Sequence, residues 1–315
     1  MKQHKVGLWL YQNDGGNVIT TEIVHQLIQK NITPIVVDLN KCFVKNSIVY
    51  TEKGEDISSI ECLYYMNADE ETSYVIDILH CLEQNGVYLI NPLSAFLNAR
   101  DKYLTTLILR KKGFTVPKSI FLNKNNLHLA RNFIKEFGEV VVKERISHGG
   151  HGVTKIASFS ELSKFLSNSI HNLQSVYIEE YIEFGQNDIR IEVFDGKYIG
   201  AYSRKAKEGD FRTNITSGGV MCPLSPPQEC IDIAIKAVEA LGLTCSIVDM
   251  VISQRDNAIY ILEVNSIMGI FVESAMKHSE KSKIKEPDKS YCYDSIKIKV
   301  LCDYIYSVVQ KDGME

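Results

Sequence analysis

Hydrophobic positions change period several times along the chain. Val6 to Leu10 is a short apolar run, Asp14-Gly-Gly16 breaks it, and Ile23, Val24, Leu27 and Ile28 then recur at helical spacing between Thr20 and Lys30. Ile35-Val-Val37 supplies a second apolar run, so the order strand, loop, helix, strand predicts a parallel pair with a right-handed crossover. Residues 1–90 are therefore expected to form a small α/β domain. After Asn91-Pro92, the segment Leu93 to Lys112 predicts one long amphipathic helix, with Phe96, Leu97, Leu104, Leu107 and Ile108 as its apolar stripe and Gly113 as its stop.

Val140-Val-Val142 reads as a buried strand, and the loop after it, Ser147-His-Gly-Gly-His-Gly152, carries three glycines and is expected to be mobile. Val176-Tyr-Ile178 is the next expected strand. From Asp188, the apolar set Ile189, Ile191, Val193 alternates with Asp188, Arg190, Glu192, which puts the two sets on opposite faces of a sheet. Asp195-Gly196 is a hairpin-turn signal. Ser225-Pro-Pro-Gln228 has the capping-box pattern, ahead of a helix with Ile231, Ile235, Val238 and Leu241 on one side and Gly242 at its end. Strands are expected at 246–252 and 258–264, joined by Ser253 to Asn257. Residues 277–292, rich in Lys, Ser, Glu and Asp, read as an exposed connection, and Ile296 to Val309 returns to helical spacing. The expected units are 1–90, 91–175 and 176–315.

Composition narrows the class. A chain of 315 residues is long enough for two or three folding units, and 45% hydrophobic with 23% charged residues is ordinary for a globular protein. A net charge of −4 provides no global basic field, so nucleic acid is not an expected partner. Eight scattered cysteines without a Cys-x-x-Cys pair fit reduced thiols better than a disulfide framework or a zinc knuckle. The basic start precedes an apolar run too short for a secretory signal, and nowhere are there the roughly 18 uninterrupted apolar residues of a membrane span. A soluble, cytoplasmic protein without a membrane partner is expected.

Candidate chemistry is concentrated in four places. In Glu263-Val264-Asn265, strand alternation puts a carboxylate and an amide oxygen on one face, and a hairpin centred near Asp256 brings Asp249 opposite Glu263. Three hard oxygen donors of this kind suit Mg²⁺, which completes its shell with water and phosphate; taken alone, the tripeptide reads more readily as a solvated strand face. Lys102 and Lys143 lie on separate elements, and Lys143 ends an apolar strand ahead of a glycine loop, a place where α/β proteins bind ligands. Gly149 and Gly150 in that loop would let backbone N–H groups approach phosphate, although the pattern is not a Walker A loop. Arg190, Arg204 and Arg212, with Lys205 and Lys207 nearby, could line a cationic cleft for carboxylate and phosphate oxygens, or simply form a basic surface hairpin.

The order of these pieces resembles the ATP-grasp superfamily. Glu179-Glu-Tyr-Ile182, Asn187-Asp-Ile-Arg190, Arg204-Lys-Ala-Lys-Glu-Gly-Asp-Phe-Arg212-Thr-Asn214 and Gly218-Gly219 narrow the resemblance to RimK-type amino-acid ligases, over about Asn91 to Gly269. It implies an α+β ATP-grasp fold preceded by an N-terminal pre-ATP-grasp α/β domain, with 91–175 as the central subdomain and 176–315 carrying the metal site. By the same resemblance Lys102 and Lys143 contact phosphates, and Glu179, Glu180, Tyr181 and Ile182 form an adenine-binding hinge. Asp188 approaches the ribose, Arg212, Thr213 and Asn214 meet the phosphates, and Arg190 and Arg204 face an acyl phosphate. Asp249, Glu263 and Asn265 match metal ligands for two Mg²⁺ ions, with Mn²⁺ as a substitute. Asn265-Ser-Ile-Met-Gly269 lacks the family's proline, and Glu144 stands where many relatives have proline.

What the resemblance implies chemically is an ATP-dependent carboxylate–amine ligase acting through an acyl phosphate. One substrate would be an amino acid and the other a carboxylate- or amine-bearing peptide, carrier protein or small molecule. Many relatives associate through their ATP-grasp domains, so a homo-oligomer is compatible with it. Two rivals stay open at this stage: a peptide-cyclising ligase of a ribosomal peptide pathway, and a non-ligating nucleotide-binding regulator.

Overall fold

The first apolar run forms β1 (His4–Trp9), which pairs in parallel with β2 (Ile32–Val36); β3 (Phe43–Lys45) and β4 (Ile48–Tyr50) make a separate small hairpin. With β5 (Cys62–Tyr65) and β6 (Tyr88–Ile90) they give a parallel sheet of order β2-β1-β5-β6. This computed structural model describes residues 3–10, 16–66, 73–147, 152–168, 175–270 and 294–311. Parallel strands are covered on both faces. Here α1 (Gly16–Gln29) buries Ile19, Ile23 and Leu27 on one side, and α2 (Ser73–Gln84) buries Val75, Ile78 and Leu79 on the other.

The expected single helix over 93–112 is two. α3 (Leu93–Arg100) ends at Asp101, which has extended backbone angles and caps α4 (Lys102–Lys111) by accepting from the N–H groups of Tyr103 and Leu104. An aspartate at an N-cap satisfies amides that a continuous helix would have bonded internally. The break rotates the inward face: Lys102, Thr105, Thr106 and Leu109 are buried, while Leu104, Leu107 and Ile108 are only partly so.

The second sheet is antiparallel, β7-β10-β8-β9, from β7 (Ser119–Asn123), β8 (Val140–Lys143), β9 (Val153–Ile156) and β10 (Ser175–Glu180). Because β10 pairs with β7 and β8, the 175/176 boundary expected from sequence cuts into this sheet, and by pairing the change of sheet lies between Glu180 and Asn187. α5 (Ala130–Phe137) and α6 (Phe159–Asn168) cover one face over Val140, Val142, Val176 and Ile178. Strand alternation turns Val141, Lys143, Tyr177 and Glu179 to the other face.

The third sheet, β13-β12-β11-β14-β15, is also antiparallel: β11 (Asn187–Phe194), β12 (Lys197–Lys205), β13 (Val220–Pro223), β14 (Cys245–Ile252) and β15 (Ile259–Val264). Asp195 and Gly196 adopt φ of 48° and 68°, the left-handed pair of a tight hairpin turn. α7 (Gln228–Ala240) packs with α3 and α4 on Ile189, Ile191 and Val193. Its capping box does not form: Pro227 is the N-cap without a side-chain bond, and Gln228 donates forward to Asp232 at 2.8 Å. α8 (Asp294–Lys311) leaves this unit and packs beside α1 through Ile298, Leu301 and Ile305, so the end of the chain contributes to the first core. No helix among the described residues is long and apolar enough to cross a membrane.

Candidate active site

Four strands of the third sheet place one residue each in a row across the polar face. Tyr202 pairs with Arg190, Arg190 with Asp249, and Asp249 with Glu263. The last pairing depends on a β-bulge: Met250 faces Ile261, and continuing that register would set Asp249 against Leu262. The extra residue, Leu262, re-aims the strand so that the two carboxylates become neighbours, a recurrent use of bulges beside functional sites.

The row continues into a buried charge network. Asp188 accepts from the Arg204 backbone N–H at 2.9 Å, from its Nε at 3.0 Å and Nη2 at 2.6 Å, and from Thr213 Oγ1 at 2.5 Å. Asp249 Oδ2 accepts from Arg204 Nη2 at 2.9 Å and Arg190 Nη1 at 3.2 Å. Both oxygens of Asp188 thus accept from Arg204 and Thr213, and its side chain lines the cleft as well. Burial pushes the Asp249 carboxyl above its ordinary range, against the pull of Arg190 and Arg204. Burial opposes the Arg204 charge as well, and Asp249 with Asp188 more than restores it.

The facing wall comes from α4 and the second sheet. Lys102 Nζ lies 3.2 Å from Glu263 Oε1 and donates to the carbonyl and hydroxyl of Ser147. Lys143 Nζ lies 2.5 Å from Glu179 Oε2 and 3.4 Å from the Leu262 carbonyl. Burial disfavours a charged Glu263, but Lys102 and Lys143 together hold its carboxyl below the usual range. Arg145 clamps Asp101, the cap of α4, through two nitrogens, and its carbonyl accepts from the Lys102 N–H at 2.9 Å.

Between the walls is a cleft of about 820 Å³, its open mouth included. Its lining combines apolar side chains, Val141, Val153, Ile182, Phe184, Phe211 and Leu262, with the charged groups of Lys102, Lys143, Arg204, Asp249 and Glu263. A flat heterocycle with a polyanionic tail fits that combination. Tyr181 packs edge-on to Phe211 at 6.0 Å, with Lys155 over its ring at 4.5 Å. Glu180 also lines the cleft, its carboxylate accepting from the Lys118 N–H at 2.8 Å and from Arg255 at 3.4 Å. Arg212, half-exposed and paired with Asp210 at 2.8 Å, joins Thr213 and Asn214 along the rim.

Arg190 and Asn265 stand just outside this lining. Arg190 reaches the cleft through Asp249, and Asn265 Nδ2 donates to the Ile247 carbonyl at 2.9 Å, which leaves Oδ1 as its hard donor. Gly149 and Gly150 lie outside the described residues, as do His148 and His151. Sequence reasoning missed Asp101, Tyr177 and Arg145. For Asp101 a signal existed, an N-cap residue type directly before Lys102; Tyr177 stands two residues before Glu179 on one strand face and donates to its carboxylate, whereas Arg145 gave no signal, since its partner Asp101 is set by tertiary contact.

Asp249 Oδ1 is buried without a hydrogen-bond partner, beside Glu263 in a cleft whose other groups include Asp188. A buried acceptor of that kind fits a cation coming from the cleft. Among the described residues no cage of three or more His, Cys, Asp or Glu side chains is assembled. Two carboxylates and an amide oxygen are the sparse donor set of Mg²⁺ shared with phosphate, and the residues fit that ion.

Fold and site together define an ATP-grasp ligase. A coenzyme γ-F420-2:α-L-glutamate ligase of Methanococcus maripaludis is 34% identical over 208 residues, covering 64% of this chain and 70% of that protein. A probable α-L-glutamate ligase of Xanthomonas euvesicatoria is 26% identical over 259 residues, 80% of this chain and 86% of that one. In fold the chain is similar to the ATP-grasp ligase PsnB solved with a minimal precursor, at a TM-score of 0.66 and 17% identity over 98% of this chain and 100% of that one. The same ligase solved with a phosphomimetic precursor variant, Mg and ADP gives 0.64 and 17%, over 96% of this chain and 98% of that one. Residues 99–284 match the RimK-like ATP-grasp domain, and the chain belongs to that family of ATP-dependent ligases forming C–N bonds.

Proposed function

We propose that this enzyme joins L-glutamate, or an amino acid of that class, through an amide bond to a carboxylate-bearing acceptor, with ATP converted to ADP and phosphate. The observation that carries the reading is the convergence of Lys102, Lys143, Asp249 and Glu263 on one cleft, in a chain whose relatives are named α-L-glutamate ligases. An acceptor carboxylate oxygen attacks the γ-phosphorus, the bond from that phosphorus to the β,γ-bridging oxygen breaks, and ADP leaves. The amine then attacks the acyl carbon, the bond to the phosphate oxygen breaks with its electron pair, and the nitrogen sheds a proton.

Each step asks the chain mainly for position and charge. Lys102 and Lys143 meet the phosphates from one wall, with Arg212, Thr213 and Asn214 at the rim, while the base lies against Tyr181 and Ile182. Asp249, Glu263 and Asn265 would hold Mg²⁺, which would neutralise charge on the phosphate oxygens. Arg190 and Arg204 back Asp249 and bring positive charge to the acyl-phosphate side.

The test is Glu263→Gln, assayed as ADP release with L-glutamate as both substrates and as hydroxamate formation when hydroxylamine replaces the amine. Loss of both activities with an unchanged circular dichroism spectrum is expected. Undiminished turnover would remove Glu263 from the metal site and the mechanism with it.

A further inference from the structure

Among the described residues, Lys297 is the most deeply buried lysine, 4% exposed, and it lies on α8, an element otherwise devoted to the first core. Its Nζ is 2.8 Å from Glu192 Oε1, on a glutamate only 1% exposed, and it donates to the Gly269 carbonyl at 3.0 Å. Burying both charges is expensive, and replacing such a pair with apolar residues is often neutral or stabilising, so stability alone accounts poorly for it. Its location suggests another use.

Glu192 shares the polar face of β11 with Arg190, two residues away, while Gly269 lies four residues beyond Asn265. The stretch between Asn265 and Ile270 is fastened at three places. Asn265 bonds β14 through Ile247 and Ser246, Ser266 offers its carbonyl to Asn91 at 2.8 Å, and Gly269 offers its own to Lys297. Met268 and Ile270 are sunk in the first core at 1% and 0% exposure. Lys297 therefore ties the strand bearing Arg190 to the segment that continues from Asn265.

We infer that Lys297, with Glu192, is a positioning residue for the substrate that is not the nucleotide: it fixes the distance between the strand of Arg190, proposed above for the acyl-phosphate side, and the segment that continues from Asn265. The inference rests on the proposed ligase reading. It assigns no direct substrate contact to Lys297, and it separates the two substrates kinetically, because neither Lys297 nor Glu192 lines the nucleotide cleft. Misplacement of a substrate by a side chain remote from the reacting atoms costs roughly 10- to 100-fold in rate.

The experiment compares the full-length wild type with Lys297→Met, Lys297→Arg and the double variant Glu192→Gln/Lys297→Met, which removes both charges of the pair. ADP release is measured with L-glutamate as the probe substrate, and Mg·ATP binding is measured separately by calorimetry. Expected for the double variant is a folded protein with Kd for Mg·ATP within about twofold of wild type and kcat/KM for L-glutamate lower by roughly 10- to 100-fold. Lys297→Arg is expected to recover most of the loss, since a guanidinium can still reach both Glu192 and the carbonyl. Equal losses for glutamate and ATP, or none for glutamate, would overturn the assignment. A wild type that binds Mg·ATP but releases no ADP would instead overturn the ligase reading on which it stands.

Discussion

Lys143 Nζ lies 2.5 Å from Glu179 Oε2, and the carboxylate that holds it is 2% exposed. Glu179 is itself held: Tyr177 donates to its other oxygen at 2.6 Å and Thr106 at 3.5 Å. Burial and the adjacent Glu179 charge push the Tyr177 phenol far up, so it remains a donor at every working pH. The chain thus keeps the lysine aimed into the cleft by a counter-charge of its own, and the same cation is available to a phosphate.

Glu179→Gln should make that phosphate more necessary. Removing one partner of a buried pair leaves an uncompensated charge and costs about 3–5 kcal/mol, so the nucleotide-free variant should melt well below wild type. Mg·ATP restores a negative partner for Lys143 and should raise the melting temperature of the variant by more than it raises that of wild type. Thermal denaturation with and without Mg·ATP reads the difference directly; equal shifts in the two proteins would mean that Lys143 does not meet the phosphates.

Gly219 supplies a steric prediction at the rim. A Cβ there would stand 2.1 Å from the Thr213 carbonyl oxygen and 3.0 Å from that of Asn214, both backbone atoms, so the 213–214 segment would have to move. Gly209 offers the control, with φ of +80° and open space around it. Gly209→Ala should cost about 1–2 kcal/mol of backbone strain and leave Kd for Mg·ATP unchanged. Gly219→Ala should weaken Mg·ATP binding, because Thr213 also holds Asp188. Calorimetric titration of the two variants distinguishes these outcomes.

Local pattern carried much of the fold. Ile23 and Leu27 announced α1, Asp195-Gly196 its hairpin, and the spacing of Asp249 from Glu263 around a turn near Asp256 was enough to oppose them. The count came out because a bulge at Leu262 compensated for the turn, and nothing in the apolar pattern marks a bulge. The break at Asp101 was hidden because the stripe of leucines runs straight through it, whereas the cap is decided by one residue's backbone angles. Partners distant in sequence, such as Arg145 with Asp101 or Lys297 with Glu192, obey no period; charge type narrows the candidates but only the folded topology selects among them.

Thiol reactivity follows from burial. The Cys42 thiol is pushed up to about 11 and those of Cys245 and Cys302 to about 12, in each case chiefly by desolvation. The thiolate is the reactive form, so these three should resist iodoacetamide at pH 8 in the folded protein, along with buried Cys62 and Cys230. Cys81 and Cys222, with intermediate exposure, should be alkylated ahead of all five. Timed labelling followed by peptide mass spectrometry gives the order, and early modification of Cys245 would contradict the packing around Asn91.

That packing yields the sharpest stability prediction. Asn91, 2% exposed, uses its whole side chain: Oδ1 accepts from the Thr244 and Cys245 N–H groups at 2.7 and 2.8 Å, and Nδ2 donates to the Cys245 and Ser266 carbonyls at 2.8 Å each. It follows β6 directly and stitches the end of the first sheet to the start of β14 and to the residue after Asn265. Asn91→Ala leaves buried donors and acceptors unmet at about 1–3 kcal/mol each, so a loss of several kcal/mol in urea unfolding is expected. Asn91→Asp should be at least as damaging despite its matching shape, because it replaces the donor facing two carbonyls with an acceptor. If the aspartate variant proved the more stable of the two, shape rather than hydrogen bonding would be what joins these units.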